Sequence, residues 1–247
     1  MSDVGQDNRT WPNLAAVFGA SGGIGAALVS ALVEQDVQVL AGSRSGDVLT
    51  AEGVTPFRFD LTDEASIADA IAGFGDTMPD LVVVASGTLT LADGTGPERS
   101  HKSLNINAME QVFRINAHGP ALIAKHVFAA APRKGRTVFA ALSARVGSIG
   151  DNRVGGWYSY RASKAALNML LKTFSIEVAR THKEAVVAGL HPGTVDTALS
   201  EPFQSNLPDG QLTQPDDAAS ALLSVLRTLT PVDSGGVFAY DGERVPD

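Results

Sequence analysis

The sequence predicts a single α/β domain, a doubly wound parallel sheet of about seven strands with helices on both faces. Short runs of aliphatic and β-branched residues alternate with helical stretches along most of the chain, which is the pattern of such sheets. The chain has 247 residues, of which 44% are hydrophobic and 19% charged, so it can bury one large core. No repeat or low-complexity segment interrupts it. We therefore expect residues 1–12 to form a polar tail and residues 13–247 to form one domain.

The individual elements are predicted from these runs and from the glycines and prolines between them. Strands are expected at 14–18, 37–41, 55–59, 81–85, 137–142, 185–190 and 237–240, and helices at 24–35, 63–74, 108–130, 160–181 and 215–228. The polar stretch 86–103 is expected to be a loop. The stretch 194–213, which is rich in Pro, Gly and Asp, is expected to be a mobile lid.

The composition argues against several kinds of protein. Lys and Arg total 19 against 27 for Asp and Glu, and the formal charge of -8 argues against a nucleic-acid surface. The chain has no cysteine, so disulfides and thiolate metal sites are ruled out, and its five histidines lack metal-ligand spacing. We expect no metal. The N-terminal stretch lacks the apolar core of a signal peptide and no apolar run is long enough to span a membrane, which indicates a cytoplasmic protein with no membrane partner.

A glycine-rich turn links the first predicted strand to the first predicted helix. Its sequence, Gly-Ala-Ser-Gly-Gly-Ile-Gly at 19–25, contains glycines that permit a tight turn and close approach of the backbone. The helix that follows presents free N–H groups and the positive end of its dipole to a pyrophosphate. A turn without a ligand is the alternative, but the flanking strand and helix favour a Rossmann-like dinucleotide site. The candidate contacts are Gly19, Ser21, Gly22, Gly23, Ile24 and Gly25.

The end of the second predicted strand indicates which dinucleotide is bound. A protein selective for NAD usually has a carboxylate there for the ribose 2′-hydroxyl, whereas this chain has Gly42-Ser43-Arg44. Ser43 can donate a hydrogen bond to a 2′-phosphate, and Arg44 can pair with its charge. We therefore expect NADP(H) in preference to NAD(H). In the alternative interpretation, Arg44 is only a surface cation.

A tyrosine stands four residues before a lysine at the head of a long apolar run. Tyr160 and Lys164 are predicted to lie one helical turn apart on one face. A phenol titrates near pH ~10, so it acts as an acid or base at neutral pH only if its anion is stabilised, and a neighbouring ammonium does that. The spacing alone also fits an ordinary solvated helix face. Tyr158 is a rival phenol, but it has no lysine four residues further on.

Further motifs follow in order along the chain. They are Asp60-Leu61-Thr62, Ala85-Ser86-Gly87, Ile115-Asn116-Ala117-His118-Gly119-Pro120 and His191-Pro192-Gly193-Thr194-Val195-Asp196-Thr197. With the glycine turn and the Tyr160–Lys164 pair, they make the chain resemble the short-chain dehydrogenase/reductase family from Asn13 onward. Within that family it is most similar to the branch of C-factor and sniffer-type carbonyl reductases.

The resemblance implies that several of these residues line a cofactor pocket. Asp60 would accept a hydrogen bond from the adenine amino group, beside the backbone of Leu61. The other implied contacts are Ala85, Ser86 and Gly87 on the adenosine side, and Pro192, Gly193, Thr194, Val195 and Thr197 on the nicotinamide side.

The resemblance also implies a catalytic group of Tyr160, Lys164, a serine and Asn116. Asn116 would bend the long helix and hold a water that links the lysine ammonium to solvent. The family usually has two serines followed by two residues and a glycine, and the second serine binds the substrate oxygen. This chain has Ala144 at that position. We expect Ser143 to supply the hydroxyl in preference to Ser148, and a site without that hydroxyl is the third possibility.

Together these features predict an NADP(H)-dependent oxidoreductase that transfers hydride between nicotinamide and a carbonyl or secondary alcohol, with Tyr160 as general acid/base. The alternative is an NADP-binding signalling or sensor protein of the C-factor type with little catalysis. The resemblance suggests a homodimer or homotetramer through helices 108–130 and 160–181, although some members of the branch act as monomers. Trp157, Leu199 and Phe203 indicate an apolar pocket for a small-molecule substrate, which the sequence does not identify.

Overall fold

A parallel seven-stranded sheet forms the centre of the computed structural model, which describes residues 11–206, 208 and 210–247. Its strands are β1 (Leu14–Phe18), β2 (Gln38–Ser43), β3 (Val54–Arg58), β4 (Leu81–Val84), β5 (Val138–Leu142), β6 (Val186–His191) and β9 (Val237–Ala239). They lie in the order β3-β2-β1-β4-β5-β6-β9, and every neighbouring pair is parallel. The predicted fold class is confirmed.

Helices cover both faces of the sheet because successive strand residues point to opposite faces and both faces are apolar. In β1, Val17 belongs to the same apolar cluster as Leu28 and Leu222 on one face, whereas Phe18 belongs to the cluster of Ile123 and Leu167 on the other. The α-helices are α1 (Gly23–Val33), α2 (Glu64–Ala72), α3 (Ile106–Phe113), α4 (Gly119–Ala130), α5 (Tyr158–Val178) and α6 (Pro215–Thr228). Within the part of the chain described, none of them is both long and apolar enough to cross a bilayer.

The predicted helix over 108–130 is instead two α-helices joined by a π-helical turn over Arg114–His118. α3 begins earlier than predicted, at Ile106, because the Asn105 side chain accepts a hydrogen bond from the N–H of Ala108 and so caps the helix. The π-helical turn contains Asn116, which is fully buried. Turns of this kind often mark functional positions.

The end of the predicted tail belongs to the fold. Pro12 is buried, and the guanidinium of Arg136 lies 4.2 Å from the centre of the Trp11 ring. These contacts attach two residues of the predicted tail to the domain, while the boundary between tail and domain stays a prediction. The rest of that tail, residues 1–10, lies outside the described residues.

The segment predicted as a lid contains regular structure. Two short strands, β7 (Thr194–Val195) and β8 (Leu212–Thr213), pair in parallel at its base, and a 3-10 helix spans Glu201–Asn206. Phe203 in this helix packs edge-to-face on Trp157, with 5.1 Å between the ring centres. This contact connects the segment to the residues just before α5.

Candidate active site

A cavity of about 390 Å³ opens at the carboxyl ends of β1, β4, β5 and β6. Ligands of doubly wound sheets bind at this edge, where the strand order reverses. Trp157, Leu199 and Phe203 contribute to its wall, as predicted. Many of the predicted site residues also line it: Gly22, Gly23, Ile24, Ala85, Ser86, Gly87, Ser143, Tyr160, Lys164, Pro192, Gly193, Thr194, Val195 and Thr197.

The glycine turn has no room for side chains at three positions. Gly19 has a φ of +91°, and a Cβ there would lie 2.5 Å from Ser86 Oγ. A Cβ on Gly23 would lie 2.5 Å from Thr197 Cγ2, and one on Gly25 would collide with the main-chain oxygen of Gly19. Because these positions have no side chain, the turn after β1 can lie against the end of β4 and against the segment that follows β6.

The N-terminus of α1 is open. Its N-cap residue, Gly22, has no side chain to cap the helix, and Ser21, Gly22 and Gly23 are exposed. Uncapped N–H groups at the positive end of a helix dipole bind phosphate groups well. The residues of this turn therefore fit the pyrophosphate of a dinucleotide.

The loop after β2 gives Ser43 and Arg44 different surroundings. β2 continues to Ser43, beyond its predicted end, because β3 runs beside it and pairs Ser43 with Arg58. Ser43 is buried, and its hydroxyl donates to the main-chain oxygen of Asp47 (3.2 Å) and accepts from the N–H of Gly46 (2.9 Å). Both hydrogen bonds of this hydroxyl stay within the loop, and its predicted bond to a 2′-phosphate stays a prediction. Arg44 is exposed, and Arg58, which the sequence did not single out, lies against Gly46.

Asp60 is an exposed carboxylate with a fixed orientation. Its Oδ1 accepts hydrogen bonds from the N–H and from the hydroxyl of Thr62, both at 2.8 Å. These bonds, with a smaller effect of the Arg44 charge, lower the pKa of Asp60. Asp60 is therefore ionised at neutral pH and can act as a hydrogen-bond acceptor. The side chain of the next residue, Leu61, is buried against Gly119 of α4.

Tyr160 and Lys164 lie on one face of α5. Lys164 Nζ is 5.8 Å from the centre of the Tyr160 ring and donates a hydrogen bond to the main-chain oxygen of Leu142 (2.7 Å) at the end of β5. Burial lowers the pKa of Lys164 to about 8 and raises the pKa of Tyr160 to about 12. In the protein alone, desolvation of the phenol thus outweighs the expected effect of the ammonium. At neutral pH the site holds a protonated phenol beside a mostly protonated ammonium.

The amide of Asn116 fastens the loop after β4 to the helices. Its Oδ1 accepts from the N–H of Thr88 (2.8 Å), and its Nδ2 donates to the main-chain oxygen of Thr88 (2.8 Å) and to Ser163 Oγ (3.1 Å). Asn116 and Lys164 meet around Gly87, since a Cβ on Gly87 would lie 3.5 Å from both Asn116 Oδ1 and Lys164 Nζ. Asn116 and Lys164 therefore border the same glycine, while the bound water stays a prediction.

A family model described as short chain dehydrogenase matches residues 13–208 of the chain. The chain belongs to the short-chain dehydrogenase family. The family predicted from the ordered motifs is confirmed, and the chain is an oxidoreductase.

Two curated relatives illustrate how this short-chain dehydrogenase matches other proteins. "C-signal" of Myxococcus xanthus is 35% identical over 138 residues, which are 56% of this chain and 78% of that protein. The 1-hydroxy-2-glutathionyl-2-methyl-3-butene dehydrogenase of Rhodococcus sp. (strain AD45) is 31% identical over 232 residues, which are 92% of this chain and 96% of that protein.

Solved structures share the short-chain dehydrogenase fold. The NADPH-bound carbonyl reductase from chicken fatty liver superposes with a TM-score of 0.83 at 24% identity, covering 95% of this chain and 94% of that chain. The carbonyl reductase Sniffer of D. melanogaster has a TM-score of 0.80 at 20% identity, covering 95% of this chain and 99% of that chain. Both likenesses concern the fold.

This short-chain dehydrogenase departs from the pattern predicted for its family after β5. Ala144 lines the cavity where the resemblance predicts a serine, and Ser143 lines it as well. Ser143 Oγ donates to Asn168 Oδ1 (2.6 Å). Ser148 is buried away from the cavity wall, and its hydroxyl accepts from the N–H of Asp151 (3.1 Å). Of the two serines, only Ser143 is beside the space for a substrate.

Two residues at the cavity wall, His191 and Arg145, were given no role from the sequence. Nδ1 of His191 is buried and has no hydrogen-bond partner among the described residues. Burial, with a smaller effect of the nearby Arg145 charge, lowers the pKa of His191 to about 4, so this imidazole is neutral at pH 7. Arg145 also lines the cavity and pairs with Asp151 at 2.8 Å. The only signal for His191 was its place directly before Pro192.

Within the described ranges, no cluster of His, Cys, Asp and Glu could hold a metal.

Proposed function

We propose that this protein is an NADP(H)-dependent oxidoreductase that interconverts a carbonyl compound and a secondary alcohol, with Tyr160 as general acid/base. The observation that carries the proposal is the protonated phenol of Tyr160 beside Lys164, at the wall of a cavity that the glycine turn also lines. Support comes from similar folds that were solved with NADPH, as in the chicken carbonyl reductase, or with NADP, as in a short-chain dehydrogenase from Burkholderia multivorans.

In the proposed reduction, Tyr160 donates its proton to the carbonyl oxygen as negative charge develops there. A bound reduced nicotinamide would supply the hydride. Residues 19–25 would hold its pyrophosphate, and Pro192, Gly193 and Thr194 would border the nicotinamide. Ser143 would turn its hydroxyl from Asn168 toward the substrate oxygen and orient the carbonyl.

Lys164 would stabilise the phenolate that Tyr160 becomes after it has given up its proton. An ammonium one helical turn away lowers the energy of the anion, most strongly in a site that excludes water. The proton would return to Tyr160 through Lys164 and the region between Gly87 and Asn116. The partly buried aromatic rings of Trp157 and Phe203 would help to keep bulk water from the reacting oxygen.

Turnover separates this proposal from its alternative. Oxidation of NADPH, followed by absorbance with a panel of ketones, aldehydes and quinones, should show turnover with at least one class. A signalling or sensor protein of the C-factor type would bind NADPH without turning over any of the panel. The similarity to C-signal and the alanine at position 144 are the observations behind that alternative.

The cofactor preference should depend on Arg44 and Arg58. Arg44→Ala should raise the Kd for NADPH about 10- to 100-fold and change the Kd for NADH little, because a charge-assisted bond to the 2′-phosphate is lost. Arg58→Ala should act in the same direction but less strongly, since Arg58 is the last residue of the neighbouring strand β3 and already packs against Gly46. Fluorescence titration of both cofactors measures these constants. Arg180→Ala, an exposed cation after α5, is the control. Equal or tighter binding of NADH by the unmodified protein would overturn the assignment.

The two serines near the site should behave differently. Ser143→Ala should lower kcat about 10- to 100-fold, because a hydrogen-bond donor at the developing oxyanion is lost. Ser148→Ala should leave kcat nearly unchanged, because Ser148 lies away from the cavity wall. Steady-state kinetics at saturating NADPH would test the pair. A loss confined to Ser148→Ala would refute the choice of Ser143.

Carbonyl reduction should slow above pH about 8. Tyr160 stays protonated up to about pH 12 and can donate throughout, but Lys164 loses its charge above about pH 8 and then no longer stabilises the phenolate. We expect kcat/KM to be level below about pH 7.5 and to fall by up to about tenfold per pH unit above 8. The measurement is a pH profile at saturating NADPH. A level profile up to pH ~10 would contradict the role of Lys164.

A homo-oligomer and a cytoplasmic location stay predictions. Met169 and Ile176 are exposed on α5, and Ile106 is exposed at the start of α3. An interface through these helices would cover such apolar side chains.

A further inference from the structure

A buried carboxylate from a distant loop holds the first turn of the helix that carries Tyr160. Glu98 lies in the loop between β4 and α3, and this acidic side chain is buried. Its Oε1 accepts a hydrogen bond from Ser159 Oγ, and its Oε2 accepts one from the N–H of Ser159 (3.1 Å). Its main-chain oxygen accepts a third from the N–H of Trp157. Buried carboxylates are rare unless their hydrogen bonds are satisfied, as they are here.

α5 needs this partner because it has no cap of its own. Its N-cap residue is Trp157, which makes no side-chain cap bond and has a left-handed backbone with φ of +52°. The first N–H groups of a helix have no partner within the helix, and a negative charge is favourable at that end. Glu98 therefore serves as an N-cap supplied from 61 residues away in the sequence.

The same loop has a second attachment, to Asn116. Thr88, near the start of the loop, is held by both ends of the Asn116 amide. Between the two attachments, Leu89 lines the active-site cavity and also a small internal cavity that it shares with Glu98, Ser159 and Tyr160. The loop thus shares a cavity wall with Tyr160, and Glu98 in the same loop holds the helical turn that contains Tyr160.

We propose that Glu98 is a positioning residue for Tyr160. Its carboxylate fixes the first turn of α5 against the loop over 86–103, so that the phenol at position 160 faces the substrate space. This inference rests on the proposed function, because it assigns Glu98 to the placement of the proposed proton donor. Displacement of a reacting group by 1 Å can cost about 100-fold in rate, so a lost cap should reach the chemical step.

Two variants separate positioning from simple stabilisation. Glu98→Met keeps the volume but removes both acceptor oxygens, whereas Glu98→Gln keeps one oxygen that can accept from the N–H of Ser159. We expect Glu98→Met to lower kcat about 10- to 100-fold with an unchanged Kd for NADPH, and Glu98→Gln to recover most of kcat. Glu110→Gln, an exposed carboxylate on α3, is the control and should match the unmodified protein. Kinetics and NADPH titration would be run well below the Tm of every variant.

Hydrogen exchange of the amides at 157–159 supplies a second readout that does not depend on turnover. Faster exchange at these amides in Glu98→Met, with core strands unchanged, is expected. Normal kcat in Glu98→Met would overturn the proposal, and so would parallel losses of kcat, NADPH affinity and Tm, which indicate a general structural role. If the unmodified protein shows no turnover, the proposed function fails and the role of Glu98 is then judged by exchange alone. Unchanged exchange at 157–159 in Glu98→Met would overturn the capping contact itself.

Discussion

Tyr160→Phe should lower kcat for carbonyl reduction by about 10²- to 10⁴-fold, the usual contribution of a well-placed general acid. The variant loses only the hydroxyl, so the ring should still pack against Trp157, whose centre lies 6.2 Å away. The Kd for NADPH should change little, because the glycine turn and the loop after β2 are untouched. Turnover is measured by NADPH absorbance and binding by fluorescence titration.

Tyr158→Phe is the matched control for this change. Tyr158 is two residues earlier on α5, is partly exposed and does not line the cavity. Its variant should keep the kcat of the unmodified protein. The reverse result, a loss confined to Tyr158→Phe, would transfer the proton donor to the rival phenol.

Lys164→Met should also remove most of the activity, by about 100-fold or more, because the phenolate then forms without a neighbouring positive charge. This variant should be as stable as the unmodified protein, which distinguishes a functional residue from a structural one. Lys172→Met, an exposed position on the same helix, is the control and should keep full activity.

The stability expectation follows from the pKa of Lys164. Burial lowers this pKa from 10.5 to about 8, so the unfolded chain binds the proton more tightly than the folded protein does. Below pH 8, protonation of Lys164 therefore lowers the free energy of unfolding by up to about 3 kcal/mol. That cost disappears as pH rises from about 8 to 10.5. Lys164→Met removes this cost, but it also loses the hydrogen bond to Leu142, which lowers the free energy of unfolding by about 1–3 kcal/mol. Urea unfolding at pH ~7 and ~9.5 should show the unmodified protein gaining stability relative to the variant as pH rises. No relative change between the two would contradict this account.

The sheet was predictable because its central strands are apolar on both faces. The run Leu81 to Val84 is fully buried, and such runs bounded by polar loops predict parallel strands. The glycine turn was predictable because three of its positions have no room for a Cβ and therefore require glycine. Tyr160 and Lys164 needed only the helical repeat to be placed on one face.

Other parts of the site depend on contacts between distant residues. The hydrogen bonds of Ser43 to Gly46 and Asp47 form only when the loop after β2 folds back on this strand, so its sequence position did not reveal them. Glu98 is one acidic residue in a polar loop, and only the folded chain brings it to Ser159. The raised pKa of Tyr160 comes from burial, which spacing along a helix does not report.

The most direct test is a crystal structure with NADP⁺ and a secondary alcohol or ketone that the enzyme turns over. The account predicts that the pyrophosphate contacts residues 19–25, that the nicotinamide C4 faces the substrate carbon, and that Tyr160 Oη lies about 2.5–3.0 Å from the substrate oxygen. A structure in which the phenol of Tyr160 points away from that oxygen, or in which the phosphates bind elsewhere, would contradict it.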